Sequence, residues 1–378
     1  MTRGGIYVHV PFCRRKCPYC DFYSTTDLAL APEFLDALEF EIRRCRPDPL
    51  IFDSIYIGGG TPSLLSAADL ARILAALFAR LRLQAPVEVT LEANPGSVGR
   101  AGLAAFRAAG VNRLNIGVQS FQDENLERLG RIHTAGDARR VFAQARAAGF
   151  DNLGIDLIYG LPGQGRAAWR RELAEAVRLA PEHIACYMLT IEPGTPLAQA
   201  QRDGRFQPAP EEQVAGLFLE TSQFLTKNGY RHYEVSNFAR SGPNGACRSR
   251  HNGKYWSYRP YLGFGPAAHS FVPPRRFWNH RSLERYCATL SVGRLPRAGQ
   301  ERLTRSQQMT EFIMLGLRTA EGVGLAEFRQ RFGVDFNAVH GAAAADLQAR
   351  RLLSLSGGRW AATLRGMLYL DTVTAALV

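Results

Sequence analysis

Three cysteines near the start of the chain have a spacing that can hold an iron–sulfur cluster. Cys13, Cys17 and Cys20 lie within eight residues in a CxxxCxxC pattern. Three thiolates can each bind one iron of a 4Fe–4S cluster, and the fourth iron then stays open to a small molecule that chelates it through an amine and a carboxylate. The basic run Arg14-Arg15-Lys16 favours the thiolate form of these cysteines. This segment therefore predicts redox chemistry on a bound ligand.

A structural zinc site is the main alternative for the same cysteines. His9 lies four residues before Cys13, so three cysteines and one histidine can form a Cys3His site. Three unrelated thiols are a further alternative. A structural zinc would not need the unusual residues that accompany the other predicted strands, and their presence favours the cluster.

A repeating strand–helix pattern in the first half of the chain must position these residues. Strand starts recur about every 30 residues, the length of a βα unit, and right-handed crossovers of such units close toward a barrel or a doubly wound sheet. Helices are predicted over Glu33–Cys45 and over Ala67–Leu81, the second opened by a capping box of Ser66 and Asp69. Six runs predict strands: Ile6–Val10, Ser54–Ile57, Val87–Leu91, Arg113–Val118, Asn152–Ile158 and His183–Leu189.

Unusual residues follow or end five of the predicted strands. The cysteines follow the first strand, and the run Gly58-Gly59-Gly60-Thr61-Pro62 follows the second. Glu92 and Asn94 end the third strand, Gln119 ends the fourth, and Asp156 lies within the fifth. Because the carboxyl ends of parallel strands meet at one rim, these residues predict a single site there.

The second half of the chain has a different character. The segment from Tyr230 to Gln300 is rich in Gly, Pro, Arg, Tyr and Trp. Helical patterns return from Leu303, and two short strand patterns around a Gly-Gly turn follow them, an order typical of a winged helix. The changes predict three domains: 1–225, 226–300 and 301–378.

The composition is that of a globular protein in a reducing compartment. Of the 378 residues, 46% are hydrophobic and 21% charged, so wholesale disorder is excluded. The sequence has no apolar run of about 18 residues that would predict a membrane span. A strand predicted almost at Met1 excludes a signal peptide. Seven cysteines, three of them clustered, indicate the cytoplasm rather than a disulfide framework.

Most of the net charge of +12 lies in one segment. Phe238–Gln300 holds eleven basic residues and a single acidic one, Glu284, a local excess of +10. Such a patch is typical of a protein with an anionic partner: nucleic acid, an acidic membrane surface or a multi-carboxylate ligand.

Several motifs resemble those of a known superfamily. CxxxCxxC after the first strand and a Gly-Gly-Gly run after the second resemble the radical S-adenosylmethionine (SAM) superfamily. The surrounding sequence is similar to that of the oxygen-independent coproporphyrinogen oxidase group, and two further motifs, LTIEPGTP and HNGKYW, resemble the HemW-type haem chaperones within that group. The matching stretches are Tyr7–Cys13, Gly58–Ser63, Gly117–Phe121, Ile155–Pro162, Leu189–Pro196 and His251–Trp256.

The resemblance implies a fold and two cofactors. The fold is an α/β one, a partial (β/α)6 radical SAM barrel followed by an α+β extension and a small winged-helix-like C-terminal domain. Cys13, Cys17 and Cys20 would bind the 4Fe–4S cluster, and SAM would occupy its open iron. Taken singly, each remaining match has a structural alternative, such as a tight turn for the glycines. The positions implied to contact SAM are Tyr7, Tyr19, Gly59, Gly60, Thr61, Glu92, Gln119, Arg131 and Asp156.

A haem site is implied within the basic segment. His251 could bind haem iron, while Tyr255 and Trp256 could line the porphyrin face. Arg248 or Arg250 could pair with propionates. The alternative is a histidine satisfied in a core beside packed aromatic residues. Lesser ligand candidates are His269 and Cys247.

Three functions remain open from the sequence. The first is a haem chaperone that passes haem to an acceptor haemoprotein, including a membrane-bound respiratory one, from the cytoplasm or the inner face of the membrane. Peripheral contact with anionic lipid and a homodimer accompany this expectation. The second is an oxygen-independent coproporphyrinogen III oxidase, disfavoured because Phe22 replaces a further cysteine of the oxidases and their N-terminal extension is missing. The third, a nucleic-acid-modifying radical enzyme, rests on charge alone, so no nucleic acid partner is expected.

Overall fold

The computed structural model describes residues 3–46, 49–242 and 245–378, and its centre is a twelve-stranded sheet. The six predicted strands are present, lie side by side in chain order and pair in parallel. The prediction of consecutive βα units is therefore confirmed. The strands are β1 (Arg3–Val10), β2 (Ile51–Gly59), β3 (Leu83–Ala93), β4 (Arg113–Gln119), β5 (Leu153–Tyr159) and β6 (His183–Met188).

Amphipathic helices connect and cover these strands. The first helix buries Phe34, Leu38 and Ile42 on the predicted face, and the second opens with the predicted capping box of Ser66 and Asp69. The helices of this half are α1 (Ala31–Arg44), α2 (Ala67–Arg80), α3 (Arg100–Ala108), α4 (Asp123–Arg128), α5 (Ala135–Ala147), α6 (Arg166–Leu179), α7 (Pro196–Arg202) and α8 (Glu211–Lys227).

The segment after α8 extends the same sheet at both edges. On one side β8 (Asn237–Ala239) pairs antiparallel with β6, and β7 (Arg231–Glu234) pairs antiparallel with β8 at the edge of the sheet. On the other side a strand pairs in parallel with β1, and three antiparallel strands continue from it. The remaining elements are the two-residue strands β9 (Ser241–Gly242) and β10 (Gly245–Ala246), α9 (Arg250–Trp256), β11 (Tyr261–Phe264), β12 (His269–Val272), β13 (Arg275–Asn279), α10 (Leu283–Ser291) and β14 (Arg297–Arg302).

The C-terminal part has the predicted helices-then-hairpin order. In its three-stranded sheet the last strand in chain order lies between the other two, and the last two strands form an antiparallel hairpin, the wing. The elements are α11 (Arg305–Leu317), β15 (Val323–Gly324), α12 (Leu325–Phe332), α13 (Phe336–Ala349), β16 (Leu353–Ser356), β17 (Arg359–Ala362), α14 (Leu364–Leu368) and α15 (Leu370–Leu377). No helix in the described part of the chain combines the length and hydropathy needed to cross a bilayer.

Successive side chains of β1 point alternately into the hydrophobic core and toward the opposite face of the sheet. Ile6, Val8 and Val10 are fully buried and belong to the hydrophobic core that the helices cover. Tyr7 and His9 point to the opposite face, because successive side chains of a strand alternate, and there they line a cavity. The face of the sheet opposite the core therefore carries polar and aromatic side chains at β1.

Candidate functional site

Two loops at the carboxyl ends of β1 and β2 are fastened to each other by backbone hydrogen bonds. The amide of Gly60 donates to the carbonyl of Val10 at 2.8 Å, and the amide of Thr61 donates to the carbonyl of Phe12 at 2.7 Å. A Cβ on Gly60 would lie 2.6 Å from the Phe12 carbonyl oxygen, so only glycine fits this approach. The glycine loop thus fixes the start of the cysteine loop.

The three cysteines line one small cavity beneath these loops. The Thr61 hydroxyl lies 3.5 Å from Cys13 Sγ, and Arg131 Nη1 lies 3.6 Å from Cys17 Sγ. Both groups donate toward sulfur, which suits thiolates that carry negative charge. Burial raises the pKa of the third thiol, Cys20. The arrangement fits a cluster held by three thiolates.

His9, the expected fourth ligand of a structural zinc site, has both ring nitrogens occupied by other partners. His9 is almost completely buried, and its Nδ1 and Nε2 lie 2.9 Å from the Tyr7 hydroxyl and from the carbonyl of Tyr23. Within residues 3–46, 49–242 and 245–378, no three His, Cys, Asp or Glu side chains converge on one metal-ion position. A cluster does not require such convergence, because each thiolate binds its own iron.

A cavity of about 660 Å³, larger than the one between the cysteines, opens beside them. It also reaches Cys20, so a molecule in it would meet the cysteine loop. The structure brings together eight of the nine positions expected to contact SAM, and Tyr7 lies instead on a neighbouring cavity. The eight are Tyr19, Gly59, Gly60, Thr61, Glu92, Gln119, Arg131 and Asp156.

Arg131 is held in place at the rim by neighbouring polar groups. Its Nη2 donates to Asn94 Oδ1 at 2.5 Å and to the carbonyl of Gly117 at 3.0 Å. Asn94 in turn donates to Thr61 Oγ1 at 2.7 Å. A guanidinium fixed in this way next to the cysteine loop can bind a ligand carboxylate with little loss of side-chain freedom.

Two carboxyl groups face the same cavity from β3 and β5. Burial raises the pKa of Glu92 to about 7, although Tyr56 donates to its carboxylate at 2.6 Å. Burial likewise raises the pKa of Asp156 to about 6, while Asn115 donates to it at 2.7 Å. Both groups are poised to gain from a cationic ligand, which would favour their ionised forms.

Gln119 ends β4 with a left-handed backbone. Its φ is +66°, and the pairing of β4 with β5 shifts register between Ile116 and Gln119. A residue other than glycine rarely adopts this conformation, and such strain concentrates at functional sites. The bulge aims the Gln119 side chain into the cavity.

A second cavity, of about 740 Å³, lies toward β1 and β11. Its walls are largely aromatic, with Tyr7, Tyr23, Tyr261 and Trp278 among them. Five residues line both cavities: Asp21, Phe22, Tyr56, Gly59 and Glu92. The two cavities are therefore neighbours.

Of the motif HNGKYW, His251, which is buried, and Tyr255 both border this cavity, and Trp256 does not. His251 has no exposed surface, its Nε2 lies 2.9 Å from the Tyr255 hydroxyl, and its Nδ1 lies 3.3 Å from Ser54 Oγ. Burial lowers its pKa to about 3. This geometry favours the alternative of a satisfied core histidine over an iron ligand. Tyr255 lines the cavity, whereas Trp256 packs under the Arg318 guanidinium at 4.5 Å and is not among the lining residues.

Several basic side chains of the segment 238–300 form ion pairs with acidic residues from other parts of the chain. Lys254 pairs with buried Asp53 at 2.5 Å, and Arg276 pairs with Glu301 and Glu311. Arg248 pairs with Glu321 at 2.5 Å, and Arg250 donates to backbone carbonyls, so both arginines expected to meet propionates are occupied elsewhere. Acidic residues outside the segment thus neutralise part of the local excess of +10.

Sequence reasoning omitted two residues from the ligand site. Tyr56 and Asn115 line the cavity of about 660 Å³ and hydrogen-bond to Glu92 and Asp156, which were predicted. A signal for them existed, because Tyr56 and Asn115 lie on the inward-facing phase of β2 and β4, so strand alternation could have found them. Asn94, which the sequence placed at the end of the third strand, lines the same cavity and hydrogen-bonds to Thr61.

Comparison with known proteins identifies the family. The radical SAM superfamily model matches residues 7–213, and the HemN C-terminal domain model matches residues 303–369. The protein named "Heme chaperone HemW" from Bacillus subtilis is 33% identical over 379 residues, which cover 98% of each chain. The protein of that name from Mycobacterium tuberculosis is 36% identical, covering 99% of this chain and 94% of its own. This chain belongs to the HemW family of the radical SAM superfamily.

A solved structure supports the same architecture. Coproporphyrinogen III oxidase (HemN) from Escherichia coli superimposes with a TM-score of 0.84 at 24% identity, over 100% of this chain and 90% of that one. This likeness establishes the fold. Membership of the radical SAM superfamily implies a 4Fe–4S cluster and SAM as cofactors, and the cavity pair is consistent with both.

Proposed function

We propose that this HemW-family protein is a haem chaperone, which binds haem and passes it to an acceptor haemoprotein. The observation that carries this proposal is the second cavity, because it is large, aromatic-walled and continuous with the cysteine site through shared residues. Ligand pockets commonly enclose about 300–1,000 Å³, so both cavities can hold a bound molecule. The relatives that match nearly the whole chain are named haem chaperones, which favours this function over an oxidase.

Within this proposal, Cys13, Cys17 and Cys20 hold the cluster. When bound, the cluster and SAM would supply one-electron chemistry next to the second cavity, which we call the haem cavity. Arg131 would pair with the SAM carboxylate and Glu92 would accept a hydrogen bond from its amino group, while Tyr19 would pack against the adenine. Thr61 and the glycine loop keep the cysteine loop in position. The remaining expected contacts are Tyr7, Gly59, Gly60, Gln119 and Asp156.

The domain division and the partners belong to the same proposal. Residues 1–225 would form the cofactor barrel, 226–300 the haem-side extension and 301–378 the C-terminal domain. The acceptor would be a haemoprotein, including a membrane-bound respiratory one. Contact with anionic lipid would use basic side chains such as Arg285 and Arg294, which form no ion pair in the described part of the chain. A homodimer is part of the proposal as well.

The first prediction concerns cluster assembly. Anaerobic reconstitution of the full chain with iron and sulfide should load about four irons per chain. The Cys13→Ser/Cys17→Ser/Cys20→Ser variant should lose this iron, because the ligands are gone. Iron analysis and the visible spectrum provide the measurement. Cys45→Ser is the matched control, since Cys45 is half-buried and outside the loop. Equal iron in the triple variant would contradict the assignment.

The second prediction separates the chaperone from the oxidase. Cluster-loaded protein should bind haem at about one per chain, seen as a Soret band, and should convert an apo-haemoprotein into its holo form. Addition of coproporphyrinogen III, SAM and a reductant should release no 5′-deoxyadenosine. Release of 5′-deoxyadenosine without haem binding would instead establish the oxidase function.

A further inference from the structure

Three histidines line the haem cavity, and they differ in whether a ring nitrogen is free. His9 and His251 are buried, and both nitrogens of each ring lie within hydrogen-bond distance of a partner. His269 is exposed, and no hydrogen bond to its ring occurs among the residues that the structure describes. An iron ligand must offer a nitrogen lone pair, so His269 is the histidine of the three that can offer one without rearrangement.

The position of His269 also suits a flat ligand. It lies on β12 directly opposite Trp278 of β13, and the two rings stack with centroids 5.6 Å apart and planes at 21°. The indole thus restricts the imidazole orientation without occupying its nitrogens. Partial burial and the Arg276 guanidinium lower the pKa of His269, which keeps the ring neutral.

Groups around the cavity match the remaining parts of haem. Phe22 is 65% exposed and lies where the haem cavity meets the cavity that holds the expected SAM contacts, which we call the SAM cavity. Its ring offers apolar surface there. Arg281 also lines the haem cavity, and among the described residues its one ion pair, with exposed Asp21 at 3.4 Å, is weak. The same Nη2 group donates to the Asp21 carbonyl at 2.9 Å. The Nε and Nη1 groups of Arg281 form no hydrogen bond among the described residues and are therefore available to a propionate.

We propose that His269 is the axial ligand of the haem iron in the second cavity, with Trp278 orienting its ring and Arg281 pairing with a propionate. This inference rests on the proposed haem carriage and names its site. An exposed ligand suits a carrier, because a ligand of the acceptor can approach the same iron while the carrier stays folded. His251 would first have to leave the interior and break both of its hydrogen bonds.

Titration of the cluster-loaded full chain with ferric haem tests this ligand. His269→Ala should weaken haem binding by at least about tenfold, the smaller end of the loss seen when even outer groups of a metal site are removed. It should also shift the Soret band. His280→Ala is the matched control, because His280 is a half-exposed neighbour outside the cavity lining, and it should behave as wild type. Circular dichroism checks that both variants are folded.

A spectroscopic readout distinguishes a ligand from a residue that only packs. The resonance Raman spectrum of the ferrous wild-type complex should contain an iron–imidazole stretching band that is missing in His269→Ala and returns when free imidazole is added. Wild-type affinity and an unchanged band in His269→Ala would overturn the proposal while leaving haem carriage intact. Absence of haem binding by the wild-type protein would overturn both.

Discussion

Replacing Gly60 with alanine should prevent assembly of the cluster. The added Cβ would lie 2.6 Å from the Phe12 carbonyl oxygen and 3.1 Å from Cys13 Sγ, and the first of these contacts is with rigid backbone. The loop cannot retreat while Gly60 donates to Val10 and Thr61 donates to Phe12. We expect a loss of about 1–3 kcal/mol in stability from overpacking. Iron loading should fall toward that of the triple-cysteine variant.

A second glycine provides the control for this substitution. Gly99 is the N-cap residue that precedes α3, and a Cβ there would meet no atom within 4 Å. Neither glycine has a left-handed φ, so Gly60→Ala and Gly99→Ala differ in steric contact rather than in backbone strain. Iron content of Gly99→Ala should match wild type, and its stability should fall only by the small cost of alanine in place of glycine at an N-cap. Full iron loading in Gly60→Ala would refute the role assigned to the glycine loop.

The affinity for SAM should rise with pH across the neutral range. Glu92 and Asp156 have pKa values raised by burial to about 7 and about 6, so both are mostly neutral below pH 6 and become carboxylates as pH increases. The carboxylate form attracts a cationic ligand and the neutral form does not. One such ionisation near pH 7 gives roughly tenfold tighter binding at pH 8 than at pH 6. Calorimetric titration of cluster-loaded protein under argon measures this.

Two variants show whether the cavity carboxyls cause this dependence. Glu92→Gln should bind SAM more weakly at pH 8 and should lose most of the change between pH 6 and pH 8. Glu41 is a buried carboxyl whose pKa is also raised by burial to about 7, but it bonds to Asn279 and Tyr286 away from the SAM cavity. Glu41→Gln should therefore keep the wild-type dependence. Affinity that is constant or falls with pH in wild type would contradict the prediction.

The first half of the fold was predictable because its signals are local. Short apolar runs separated by amphipathic helices identify β1 to β6, and parallel order follows from crossover geometry. Once that order is accepted, the strand ends share a rim, which is why residues as distant as Thr61 and Asp156 could be assigned to one cavity. The capping box at Ser66 was predictable for the same reason, since its two partners are three residues apart.

The second half was less predictable because its structure depends on distant partners. The strand β11 is four residues long and is recognisable mainly by its pairing with β1. The burial of His251 arises from packing of α9 against β1 and β2, where Gly5 leaves room for the imidazole. The charge of the basic segment could not be judged from the sequence for the same reason, because Asp53 and Glu321 pair with its basic side chains from other parts of the chain.

The pairing of β1 with β11 sets an order of events during synthesis. The strand that carries the cysteine loop leaves the ribosome early, but its neighbour begins at Tyr261, and residues 11–260 separate the two. At about 5–20 residues per second, translation of that interval takes roughly 12–50 s. Throughout this time the three thiols are attached to a strand with one free edge. The edge of β1 that pairs with β11 is therefore completed only after about two-thirds of the chain has been synthesised, and oxidants can reach the cysteines during that interval.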